Sequence, residues 1–213
     1  MFNLDSIKQI QILIALLIAY VPIVTISGFV EAWAVTLAGD DSAEDAGFLT
    51  LNPLRHIDPV GMFVLFLIEW GFGQRVPFNP ANITAPWRNL KFAAVLFTRP
   101  LVHLILIMLS VVALTFFKTT SATALLIEPS SFKYSLYLVV ISFLKLNITF
   151  FAIYSILGLA TFLVEMLLPD VYSRSLSVNI VVAVVFPMIL FLALQPYLHI
   201  FLGVLLKNAA NLF

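Results

Sequence analysis

An all-α, polytopic membrane bundle of about five transmembrane helices is the fold class this sequence predicts, and three observations carry it. Of its 213 residues 62% are hydrophobic and only 10% are charged, against about 25% charged in an ordinary soluble domain. The mean hydropathy is +1.09. The apolar residues lie in long, charge-poor runs without apolar–polar alternation, which excludes a lipid-facing barrel. Eleven basic and eleven acidic side chains cancel, leaving no field to attract nucleic acid. With no cysteine, disulfides, thiolate zinc sites and cysteine nucleophiles are excluded as well.

A helix needs roughly 20 apolar residues to cross a hydrocarbon core of about 30 Å. The first run, residues 9–38, is broken only by Glu31, and the second, 59–72, is shorter and carries Glu69 near its end. The third, 92–117, contains Arg99 and His103. The fourth, 132–168, holds Lys145 and is too long for a perpendicular span, so it must tilt, bend at Gly158 or break near Asn147. The fifth, 175–206, should kink at Pro187 and Pro196.

The connections differ in character. Residues 39–58 are acidic and turn-rich, and 73–90 hold Arg75, Arg88 and the stretch VPFNPANITAPW. Five crossings would set Lys8, Arg75, Arg88, Lys91 and Arg174 against Arg55, Lys118, Lys133 and Lys207, too even a division to fix orientation. The first apolar run exceeds the core of a signal peptide and reads as retained, despite an Ala-x-Ala at Ala32 to Ala34. A single membrane domain over residues 1–213 is expected.

From Ser27 the chain reads SGFVEAWAVTLAGDDSAEDAGFLTLNPLRHIDPVG, then GFGQRVPFNPANI. This resembles the site-2 protease family of intramembrane zinc metalloproteases, in particular its compact bacterial branch, whose members carry HExxHA, GDxxA and GxLTLNPLxHIDPxG at fixed spacing, followed by GxxxPVPxNPxNL. Gly39, Asp40, Ala43, Gly47, Leu49 to Leu54, His56 to Pro59 and Gly61 fall in register. The resemblance implies a bundle of the family's helix order and a bacterial plasma-membrane location.

It also implies where zinc chemistry should reside. In an HExxH helix two histidines one turn apart bind zinc and the glutamate activates its water. Counting back from Gly39, those positions hold Ser27, Gly28 and Glu31. The family's third ligand, an aspartate, aligns with Leu163 in YSILGLATFLV, and Asp170 is the only aspartate beyond Asp58. The family's AGPxxN reads Thr98, Arg99, Pro100, Leu101, Val102, His103. Loss of the ligands removes the Lewis acid and the nucleophile together. The expectation is a non-enzyme, with no catalytic residue and no bound zinc.

Charged groups inside membrane segments are costly and need partners. Glu31, Glu69, Arg99 and His103 are therefore expected to form an intramembrane polar cluster, with Glu31 or Glu69 pairing Arg99. The alternative is a relocated metal site built from Glu31, Glu69 and His103. The family-like loop residues Asn52, Pro53, His56, Asp58 and Pro59 suit turns and helix caps. Asn147, Thr149, Ser155 and Thr161 suit helix bridging, and His199 suits packing.

The leading functional expectation is a pseudoprotease that binds or scaffolds other membrane proteins, its partners being lipid and transmembrane segments. The competing one is a divergent intramembrane zinc metalloprotease with non-standard ligands. A small transporter ranks last, because no internal repeat or paired half-helices appear.

Overall fold

The computed structural model describes residues 4–69, 71–83, 86–120 and 132–167. These are helical apart from loops and one isolated bridge between Ile57 and Gly73. The order is α1 (Leu4–Ala38), the short α2 (Ser42–Asp45), a 3-10 turn (Pro53–Arg55), α3 (Pro59–Ile68), a second 3-10 turn (Pro80–Asn82), α4 (Arg88–Thr120) and α5 (Phe132–Leu167). The chain divides into two compact units, Met1–Phe151 and Ala152–Phe213. The predicted fifth run, 175–206, lies outside the described residues, as does His199.

Among the described residues three helices, α1, α4 and α5, are long and apolar enough to cross a membrane. In the first unit α1 is the central element, packing on α4, α2, α3 and the first 3-10 turn. Its buried stripe, Leu16, Tyr20, Ile23, Val24, Ser27 and Val35, recurs at helical spacing, while Ile14, Ile18 and Ile26 point outward. An outer face as apolar as the inner one is what lipid contact requires. α5 runs unbroken from Phe132 to Leu167, through Asn147 and Gly158. The backbone is helical at both, so neither polar Asn147 nor Gly158 interrupts it.

The second predicted span needs correction. α3 is only ten residues long and ends at Ile68, not at residue 72, so it rises about 15 Å, half a hydrocarbon core. Glu69 adopts φ 60° and ends the helix in the left-handed conformation. The chain then doubles back. A Cβ on Gly71 would collide with Gly61 O, and one on Gly61 with Phe72 O; only glycine permits this approach. Gln74 N donates to His56 O at 2.7 Å. α3 and the segment 71–79 therefore form a hairpin, not a crossing.

The return ends where α1 ends. α1 closes with Gly39 at φ +101°, Gly39 N bonding Thr36 O and Asp40 N bonding Val35 O, the Schellman pattern. This turn delivers Asp40, fully buried, as an acceptor. Its carboxylate takes hydrogen bonds from Asn79 N (2.6 Å), Asn82 Nδ2 (2.7 Å), Ser42 Oγ (2.6 Å) and Ser42 N (3.2 Å). Burial pushes the Asp40 carboxyl up, but these bonds, led by that of Asn79, outweigh it and hold it below the ordinary carboxylate value. One buried carboxylate thus ties the end of α1 to the segment leading into α4.

Candidate functional site

The loop motif supplies its own caps. Asn52 Oδ1 accepts from Leu54 N at 3.1 Å to start the first 3-10 turn, with Pro53 at its first position. Asp58 Oδ1 accepts from Gly61 N at 2.8 Å to cap α3, with Pro59 likewise placed. Between these caps His56 turns inward and is fully buried. Its Nε2 lies 2.7 Å from Thr50 O. A carbonyl only accepts, so Nε2 carries the proton and Nδ1 is left as an acceptor.

That Nδ1 faces α1 at Gly28. A Cβ built on Gly28 would collide with His56 Nδ1 and lie 3.2 Å from Cγ. The imidazole therefore fills the space that any side chain at position 28 would need. Among the described residues Nδ1 has no hydrogen-bond partner. Burial pushes His56 below the ordinary imidazole range, the bond to Thr50 opposes this, and the Arg99 charge adds to it.

Around this contact the remaining polar groups are engaged. Ser27, one residue earlier on α1, is buried and directs its hydroxyl back to Val24 O at 3.4 Å. Glu31, one turn on, forms an ion pair through Oε2 with Arg99 Nε of α4. Arg99 is 5% exposed, and its Nη2 donates to Gln74 O at 2.7 Å. The guanidinium thus joins α1, α4 and the returning segment. Tyr20 adds a second clamp, donating to Phe72 O at 2.7 Å.

The four residues expected as one polar cluster divide into three arrangements. Glu31 and Arg99 come together. His103, one turn along α4, turns to α5, with Nδ1 2.9 Å from Asn147 Oδ1, while Asn147 Nδ2 donates to Phe143 O. Glu69 stands apart, accepting from Lys145 Nζ at 2.6 Å; the left-handed end of α3 aims it at α5 rather than at Arg99. Sequence reasoning gave no role to Gln74, Tyr20 or Asp40. The first two act through a main-chain carbonyl or a lone hydroxyl, which leave no spacing signal.

Zinc needs about three protein donors at about 2.0–2.3 Å. Ser27 offers a hydroxyl bonded to its own helix, Gly28 has no side chain, the Glu31 carboxylate is held by a guanidinium, and Leu163 on α5 carries no donor atom. These residues do not fit the metal. Among the described residues no three His, Asp or Glu side chains are grouped to hold an ion.

The chain is similar to a zinc metalloprotease relative. Over 55 residues it is 34% identical to YwhC of Bacillus subtilis (strain 168), a protein named as a candidate zinc metalloprotease. The match covers 26% of this chain and 25% of YwhC, so the chain spans about a quarter of the relative it matches. No protein-family model matches the chain, and no solved structure does. The similarity links this membrane protein to a metalloprotease over that segment.

Proposed function

We propose that this chain is a catalytically inactive membrane relative of zinc metalloproteases that binds or scaffolds other membrane proteins in a bacterial plasma membrane. The contact of His56 with Gly28 carries this reading. Metal-assisted peptide hydrolysis needs a Lewis acid, a bound water and a base beside it. At the base position there is no side chain, and an imidazole occupies the space that one would enter. The adjoining carboxylate, Glu31, is neutralised by Arg99.

What remains is a membrane body with outward apolar surface. The α3 hairpin presents Val60, Phe63 and Leu67 outward, a surface suited to acyl chains or to the apolar face of a neighbouring helix. A divergent protease would need Glu31, Glu69 and His103 to converge. Their engagement with Arg99, Lys145 and Asn147 weighs against it.

The test is zinc per mole of protein after purification in detergent without chelators, for the natural chain and for Glu31→Ala and His103→Ala, with photo-crosslinking in membranes alongside. Near-zero zinc throughout, together with discrete crosslinked membrane proteins, is expected. About one zinc per chain, lost in either variant, overturns the reading.

A further inference from the structure

We propose that the Arg99 guanidinium is a built-in replacement for a metal ion, a permanent cation supplied by α4 that holds α1, α4 and the returning segment 71–79 together. The proposal rests on the metal-free reading above. A metal centre assembles a fold by drawing donors from separate elements onto one positive charge. Here the electron-rich groups are the Glu31 carboxylate of α1 and the Gln74 carbonyl of the returning segment, which accept from the Arg99 cation.

Three observations favour this over an incidental ion pair. First, Glu31 stands at the second ligand position of the HExxH-like register, so the one anionic group left there faces the cation. Second, both partners lie inside the bundle, with side-chain exposures of 6% for Arg99 and 20% for Glu31, where a lone charge is costly and a paired one is retained. Third, Gln74 is the residue at which the α3 hairpin is fixed from two sides, its N–H by His56 O and its C=O by Arg99. A guanidinium can do this because its donors form a planar fork that reaches two acceptors at once. An ammonium at the end of a lysine would present a point charge without that geometry.

The tests are thermal unfolding in detergent and the rate of proteolysis between Gly71 and Asn79. Arg99→Ala should lower Tm by roughly 10 °C, the shift expected when a buried pair loses one member in a chain of this size, and should speed cleavage of the segment. Guanidinium chloride, far below denaturing concentrations, should restore much of the loss in Arg99→Ala, whereas equal sodium chloride should not. Arg99→Met with Glu31→Gln keeps the packing and removes both charges, so it should lie closer to the natural Tm than Arg99→Met alone.

The proposal is overturned if guanidinium does no better than sodium chloride, or if the double variant is no more stable than Arg99→Met. EDTA should leave the natural protein's Tm unchanged. A Tm that falls in EDTA, with zinc present, would instead overturn the metal-free reading, so the two failures are distinguishable.

Discussion

His56 Nδ1 stands against Gly28 of α1 in the space a Cβ would need, so the ring and any side chain at position 28 exclude one another. Gly28→Ala must therefore push the imidazole off Thr50 O or part the loop from α1. The expected cost is that of overpacking, about 1–3 kcal/mol. Thermal unfolding of Gly28→Ala, His56→Ala and the double variant checks it. A double variant whose loss is smaller than the sum of the singles is the expected result.

The same ring makes stability depend on pH. Burial sets the folded His56 below its ordinary value of 6.5. The unfolded chain then takes up the proton first, so stability is complete above about pH 6.5 and declines as pH falls toward the folded value. Tm measured from pH 7.5 down to 5 should fall, and His56→Phe should flatten that part of the profile.

Asp40 has the same sign in a lower window. Its folded carboxyl lies below the ordinary value of 3.8, so its contribution is complete above that pH and lost as pH falls further. Asp40→Ala should cost about 2–4 kcal/mol, since several donors lose a charged acceptor at once. Protection of the Asn79 amide in hydrogen exchange should drop in parallel. Unchanged exchange at Asn79 would separate the carboxylate from the turn.

Glu69 and Lys145 are 49% and 33% exposed, so their pair contributes little as an attraction. Its weight lies in what each does alone beside apolar helix surface. Glu69→Ala and Lys145→Met should each destabilise by at most about 1 kcal/mol, and Glu69→Gln with Lys145→Met by no more than either. A double variant whose loss equals the sum of the two singles would mean that the two groups do not act as a pair.

The helical fold was legible because apolar runs longer than a bilayer have few other folds available. Residues 132–168 read as a helix and α5 runs Phe132–Leu167. The α3 hairpin was not legible from hydropathy, because Phe72 continues the apolar run past Glu69. The reversal shows in Gly61, Gly71 and Gly73, placed for close backbone approach. At the site, Ser27, Gly28 and Glu31 could be named through the resemblance to the site-2 protease family, by counting back from Gly39. Their partners could not: His56 and Arg99 lie 28 and 68 positions from Gly28 and Glu31, and Asn79 lies 39 from Asp40. Sequence spacing carries no information about such distant contacts.

The Gly28–His56 contact also bears on what this sequence can become. Reaching an HExxH arrangement from it takes Ser27→His, Gly28→Glu and Glu31→His, and the structure penalises two of these when they come alone. A glutamate at 28 meets the imidazole, and a histidine at 31 takes the carboxylate away from buried Arg99. Each such step lowers stability before any chemistry is gained, and proteins have little stability to lose. A selection for proteolysis starting from this sequence should recover changes at His56 and Arg99 before any at 28 or 31.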